Sequence, residues 1–302
     1  MDKVHMKQKK IGVLMGGRSS EREISLQSGN AVMEALRRKG YHVSAIDPAS
    51  GLIERLTDEK IEVAYIALHG KWGEDGTVQG LLEIMGIPYT GPGVLGSSTA
   101  MDKIAMKLIL SGIGLPTPDY AVATRGDAVD FPLPFVVKPA NEGSTIGISV
   151  VREDSQKNDA LETAFRYDKK VLVEKFVKGP EITVAVVNGQ ALPTIEVRPA
   201  SGFYDFKAKY TKGMTEYIVP APVSETAEKR SVDTALKVCG VFDLAGSVRI
   251  DMLIENEVPM VIDINTSPGM TENSLVPKAW INLGGTFDGL VEEILLGAAL
   301  KI

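Results

Sequence analysis

The sequence predicts a mixed α/β protein with a parallel sheet at its N-terminal end, and three observations carry that expectation. Over the first ninety residues short apolar runs alternate with a helical pattern. Near residue 90 this gives way to short strands and turns. Towards the C-terminus, residues 248–252 and 262–265 alternate polar with apolar positions, as paired strands do. A chain of 302 residues exceeds the usual size of one core, so two or three domains are expected.

Residues 10–15, 41–46 and 61–68 are the apolar runs, each ending in turn-forming or functional-looking residues. Between the first two, residues 23–39 place Ile24, Ala31, Val32, Ala35 and Leu36 at helical spacing, with Gly40 just past the end. Strand, helix, strand is the grammar of a parallel sheet, whose C-terminal edge is the default ligand crevice. Two loops fall there, 16–21 and 69–76. Gly16-Gly17 lacks the spacing of a dinucleotide loop, and Asp47 is the nearest acidic residue to the end of the second strand. A Rossmann oxidoreductase is therefore disfavoured. His69 ends an apolar strand at the crevice, where a structural and a ligand-proximal role are both open; no His or Cys partners stand at zinc spacing.

A turn-rich joint at 89–93 leads to a helix over 98–112, a loop-like stretch 116–134, strands at 135–138 and 146–151, a helix near 159–167 and a strand at 171–177. After Gly179-Pro180 come strands at 181–187 and 192–197, a polar segment 201–215, a helix over 225–239, a hairpin turning at 255–259, and a closing helix ending near Ala299. The expected division is 1–90, 91–180 and 181–302.

A formal charge of −6 argues against a nucleic-acid-binding surface. No apolar run reaches membrane-spanning length and none reads as a leader, so a cytoplasmic protein is expected. The single cysteine, Cys239, excludes an intramolecular disulfide and reads as a packed helix residue.

Arg249 and Asp251 share one face of a strand, as do Asp263 and Asn265. If an odd number of residues separates them, Asp251 faces Asp263 and Arg249 faces Asn265. Facing carboxylates repel unless a cation sits between them, and two carboxylates with an amide form an oxygen set suited to magnesium carrying nucleotide phosphates. An exposed, solvated hairpin is the alternative. Lys138 and the loop 139–147 join two strands with Gly, Ser and Thr, so their N–H groups can surround a phosphate; an ordinary hairpin loop is equally open, and the order of a P-loop is missing. Residues 174–177, followed by Glu181, read either as a plain strand end or as one offering backbone groups to adenine, the Phe176 ring to a base face and a carboxylate to ribose.

The ordered set Gly16-Gly17, Ser20-Glu21-Arg22-Glu23-Ile24-Ser25-Leu26, Ala67-Leu68-His69-Gly70, Gly73-Glu74-Asp75-Gly76, Tyr89-Thr90-Gly91, Met101-Asp102-Lys103, Val137-Lys138-Pro139, Glu142-Gly143-Ser144, Lys209-Tyr210, Arg249-Ile250-Asp251 and Asn265 through Thr271 resembles the D-alanine–D-alanine ligases. The resemblance spans essentially the whole chain. It implies a three-domain ATP-grasp fold with ATP between the central and C-terminal domains. By resemblance, Lys103 and Lys138 contact ATP phosphates and the loop at Ser144 closes over them. Glu174, Lys175, Phe176, Val177 and Glu181 fall where adenine and ribose bind. Asp251, Asp263 and Asn265 match ligands for two Mg²⁺ ions, with Mn²⁺ as an alternative. Arg249 and the Gly269 backbone match the groups that stabilise the oxyanion. Glu21 matches the residue holding the first D-alanine's ammonium, with His69 close by, and Ser274 and Leu275 match the site of the second D-alanine's carboxylate. Lys209 and Tyr210 would lie on a mobile loop, about 201–215, with Lys209 near the transferred phosphate. Glu21, Ser144 and Tyr210 would form a hydrogen-bonded triad.

Two positions depart from the family pattern: Asp263 stands where glutamate is usual, which bears on metal preference, and Phe176 where some members carry tryptophan. The resemblance implies a two-step reaction, phosphorylation of one D-alanine carboxylate by ATP and attack on the acyl phosphate by the second amine. Tyr210 favours the amine over D-lactate. A cytoplasmic homodimer serving peptidoglycan synthesis is implied. Another ATP-grasp carboxylate–amine ligase and a non-catalytic nucleotide-binding protein are the competing readings.

Overall fold

The computed structural model describes residues 2–143, 145–200, 211 and 213–302. Lys10–Leu14 (β1), His42–Ile46 (β2) and Val63–Ile66 (β3) form a parallel sheet in the order β2-β1-β3. Helices Arg22–Arg38 and Leu52–Asp58 make the crossovers. The first turns Val32, Met33, Ala35 and Leu36 inward. It approaches β1 closely at Gly29, where an added Cβ would lie 2.4 Å from the Cβ of Met15.

Tyr120–Thr124 (β4), Phe135–Pro139 (β5), Ser149–Val151 (β6) and Lys170–Lys175 (β7) build an antiparallel sheet in the order β4-β7-β5-β6. The stretch 116–134, expected to be loop, thus contains an edge strand. β4 is short and half-exposed, so its residues lack the buried alternation that marks a strand in sequence. The single helix expected over 98–112 is two, Val94–Met101 and Lys103–Gly112. Asp102 between them is extended, and its carboxylate accepts hydrogen bonds from the N–H groups of Ile104 and Ala105 at 2.9 and 3.0 Å.

The third sheet contains Glu181–Val187 (β8), Gln190–Ala191 (β9), Ile195–Pro199 (β10), Thr215–Ile218 (β11), Ser247–Glu255 (β12) and Val258–Asn265 (β13). Its order is β11-β10-β8-β12-β13, with β9 paired to β8. The hairpin turn is narrower than expected. Only Asn256 and Glu257 turn, both left-handed (φ 52° and 67°), while Glu255 pairs with Val258. The closing helix is likewise two helices, Leu275–Asn282 and Phe287–Leu296.

One apolar core joins the first and third sheets, bringing Val13 and Tyr65 together with Ala185, Val187, Leu290 and Val291. The second sheet has its own core around Phe135, Val137 and Val173. Cys239 is buried on helix Glu225–Val241. Among the described residues no helix is long and apolar enough to cross a membrane.

Candidate active site

One cavity of about 330 Å³ is lined by nine of the residues singled out in sequence: Glu21, His69, Lys103, Arg249, Asp263, Asn265, Gly269, Ser274 and Leu275. They come from the C-terminal edge of the first sheet, the start of helix Lys103–Gly112, the β12–β13 hairpin and the loop that follows it.

Glu21 immediately precedes helix Arg22–Arg38. A Cβ added at Gly70 would lie 2.8 Å from its Oε2, and one at Gly143 would lie 3.2 Å away. Its carboxylate therefore sits where two glycine-bearing loops leave room. His69, 5% exposed, makes a relay at the back of the cavity. Its Nδ1 lies 2.8 Å from the Ser267 carbonyl and 3.6 Å from Glu74 Oε1, and its Nε2 lies 3.0 Å from Ser28 Oγ. Ser28 Oγ accepts in turn from the Met270 N–H at 3.2 Å. Burial alone would lower the His69 pKa, but the Glu74 carboxylate, with Glu21 and the Ser267 carbonyl, outweighs it and raises the value.

Across the hairpin Asp251 faces Asp263 and Arg249 faces Asn265. Each facing carboxylate has its own cation. Arg249 donates from Nε and Nη2 to Asp251 at 2.8 and 2.7 Å, and Lys103 Nζ lies 3.1 Å from Asp263 Oδ1. This corrects the sequence argument: the pair of carboxylates is compensated by protein and does not by itself demand a metal. Thr183 Oγ1 also donates to Asp251 Oδ1 at 2.6 Å. Among the described residues no group of three or more His, Cys, Asp or Glu side chains is arranged for a metal. The candidate set has two carboxylates and the amide of Asn265, whose Oδ1 accepts from the Ser267 N–H at 3.1 Å.

Ser274 ends the loop that carries Gly269. Its Oγ accepts from the Thr271 N–H at 3.1 Å instead of capping helix Leu275–Asn282. Ser274 and Leu275 line the cavity at the N-terminus of that helix, whose positive dipole end suits a carboxylate.

Lys138, Glu174, Lys175, Phe176, Val177, Glu181 and Asp251 lie outside the lining of this cavity. Most of them border the seam between β7 and β8. Lys175 pairs with Glu255 of β12 at 3.1 Å, and the Arg152 guanidinium lies 5.0 Å from the Phe176 ring centroid. The strand end is less open than expected. The N–H groups of Lys175 and Phe176 donate to the Asp119 and Pro134 carbonyls. The Glu174 carboxylate is buried against Lys138 (2.5 Å) and Lys107, so its side chain faces the protein interior instead of solvent. Ser144, Lys209 and Tyr210, and with them the triad and most of the 201–215 loop, lie outside the described residues.

Sequence reasoning passed over Ser28, Lys107, Thr183 and Tyr217. Ser28 follows Glu21 and Ile24 on one helical face, and Lys107 is a second lysine in an otherwise apolar helix, one turn beyond Lys103; both signals were present. Thr183 and Tyr217, which lines the cavity, have no comparable signature.

Residues 109–296 match the family described as "D-ala D-ala ligase C-terminus", and residues 10–57 and 48–92 match "D-ala D-ala ligase N-terminus". The D-alanine–D-alanine ligase of Syntrophotalea carbinolica is 51% identical over 306 residues, covering 100% of both chains. That of Citrifermentans bemidjiense is 46% identical over 300 residues, 98% of each. Among solved structures, the Bacillus anthracis D-alanine–D-alanine ligase complexed with ATP superposes with a TM-score of 0.84 at 34% identity, covering 96% of this chain and 97% of that one.

Proposed function

Because the chain belongs to the D-alanine–D-alanine ligase family, we propose that the cavity residues carry out ATP-dependent joining of two D-alanine molecules in the roles set out below. The reaction class is that of the family: ATP is consumed and D-alanyl-D-alanine is made, a building block of peptidoglycan. The observation that carries the assignment of roles is the convergence of Glu21, His69, Lys103, Arg249, Asp263, Asn265, Gly269 and Ser274 on one cavity.

Glu21 holds the ammonium of the first D-alanine, with the His69–Glu74 pair behind it. Lys103 and Lys138 hold ATP phosphates, and the Gly143 loop closes over them. Lys209 joins them near the transferred phosphate. Adenine and ribose lie along residues 174–177 and Glu181. Because the Glu174 carboxylate is turned inward, adenine there meets backbone and the Phe176 ring. The first carboxylate attacks the γ-phosphate, and the second D-alanine, its carboxylate held at Ser274 and Leu275, attacks the resulting acyl phosphate. Arg249 and the Gly269 N–H stabilise the oxyanion of the collapsing tetrahedral centre. Acyl phosphates hydrolyse readily, so this chemistry needs water kept from the intermediate. Glu21, Ser144 and Tyr210 keep the catalytic roles that the family resemblance implies.

Asp251, Asp263 and Asn265 offer oxygen atoms only, so they fit Mg²⁺, or Mn²⁺, and not zinc. When bound, two such ions would neutralise charge developing on the transferred phosphate. Asp263 reaches one methylene less far than glutamate does, which would bear on metal preference.

We keep the division near residues 90 and 180 as three domains, since each stretch supplies its own sheet. A cytoplasmic location suits an enzyme that consumes ATP. Ile84, 87% exposed on the last helix of the N-terminal part, supports a homodimer through that face; light scattering in solution tests it. Phosphate release from ATP with D-alanine, L-alanine, D-serine or D-lactate tests the assignment of the site. Release should depend on D-alanine and on Arg249.

A further inference from the structure

Lys107 has no part in the roles above, yet it is fully buried between helix Lys103–Gly112 and β7. It lies one turn beyond Lys103 on the same helix. Its Nζ donates to Thr117 Oγ1 at 2.6 Å and to the Pro118 carbonyl at 3.2 Å, and pairs with Glu174 Oε2. Those three acceptors match the three hydrogens of an ammonium. Thr117 Oγ1 in turn donates a hydrogen bond to the Val261 carbonyl at 2.6 Å, on the strand that carries Asp263. The other oxygen of Glu174 takes Lys138, at 2.5 Å. Glu174 sits on β7 and Lys138 on the neighbouring β5, two residues offset across the ladder and on the same face.

One carboxylate thus stands between two ammonium groups, and these three directly bonded groups carry a net charge of +1, with the Asp119 carboxylate facing Lys107 from further off. Without Lys107, Glu174 would be left to Lys138 alone and the pair would be neutral. We infer that Lys107 is a positioning residue for the nucleotide: by occupying one oxygen of Glu174, it leaves the surplus charge at Lys138 for a phosphate. Through Thr117 it also fixes helix Lys103–Gly112 against the strand of Asp263. This rests on the reading that Lys138 faces the nucleotide phosphates.

The groups that face Lys107 are Glu174 from β7, Lys138 from β5, Asp119 and Thr117 from the segment before β4, and the Tyr120 ring 5.7 Å away on β4. Burial lowers the Lys107 pKa first, Glu174 and Asp119 oppose this and Lys138 adds to it, leaving a value of about 8. The surplus charge is therefore lost just above neutral pH.

The test is calorimetric binding of Mg²⁺–ADP between pH 7 and 9 to the wild type, Lys107→Met and Lys138→Met. Wild-type affinity should fall by about tenfold over that range. Lys107→Met should bind about tenfold more weakly at pH 7 and show no further pH dependence. A flat wild-type profile, or a Lys107→Met protein that keeps the wild-type profile while Lys138→Met binds weakly, overturns the inference. Undiminished binding by Lys138→Met would instead overturn the reading of Lys138. If circular dichroism shows Lys107→Met unfolded, the wild-type profile decides alone.

Discussion

Asp251 and Asp263 face each other across the β12–β13 ladder because the strands slip by one residue between Asp251 and Met252. Beyond the slip Met252 pairs with Val261, leaving Ile262 as the extra residue. The two-residue turn at Asn256-Glu257 alone would set Asp251 opposite Ile262, an apolar side chain. The bulge moves Asp263 into register and keeps both carboxylates on one face.

Removing the charge of Asp263 takes an oxygen ligand from the proposed metal set and leaves Lys103 without its carboxylate. Asp263→Asn should need about 10- to 100-fold more Mg²⁺ for half-maximal activity. Asp263→Glu should restore activity and alter the ratio of Mg²⁺ to Mn²⁺ rates. An unchanged Mg²⁺ requirement in the asparagine variant counts against a ligand role.

Arg249 binds Asp251 through two parallel hydrogen bonds, a geometry that lysine cannot reproduce. Arg249→Lys should lower kcat by about 100- to 1000-fold, as loss of an oxyanion donor does, with a smaller change in KM for ATP. A change confined to KM would show that Arg249 serves binding only.

His69 holds its proton more tightly in the folded protein than its ordinary value of 6.5, because Glu74 overcomes the cost of burial. A raised folded value means that protonation stabilises the fold: the contribution is complete below 6.5 and is lost as pH rises through the folded value. In Glu74→Gln burial is no longer outweighed, so the His69 titration followed by NMR should move to lower pH. The stability lost across that window in denaturant melts should shrink with it. Identical His69 titrations in the two proteins would refute the pairing.

The parallel sheet was legible because β1 and β3 are buried and read as apolar runs, with a clear amphipathic helix between β1 and β2. The facing of Asp251 and Asp263 was legible only as a condition on residue count, since a bulge leaves no mark in composition. What compensates the two carboxylates was not legible: Lys103 is 160 residues distant from Asp263 in the chain, and only the packing of helix Lys103–Gly112 on the hairpin brings them together. Glu174 looked like a solvent-facing group because the sequence does not show that Lys107 and Lys138 enclose it.

Leu290 is fully buried in the core shared by the first and third sheets. Leu290→Ala should cost about 2–5 kcal/mol. Because the core is shared, probes in the N-terminal and C-terminal parts should lose structure together. Separate transitions in a denaturant titration would show that the two parts fold independently.

Cys239 is buried and its thiol is pushed up to about 12, so almost no thiolate exists at pH 8. Iodoacetamide should leave the native protein unmodified and label it fully in guanidinium. Rapid labelling of the native enzyme would place Cys239 at the surface.

The most direct measurement is phosphate release from Mg²⁺–ATP with each amino acid in turn, with the product identified by mass. Release with D-alanine, accompanied by D-alanyl-D-alanine and abolished in Arg249→Ala, is the result this account predicts. ATP hydrolysis independent of D-alanine, or undiminished dipeptide synthesis by Arg249→Ala, would contradict it.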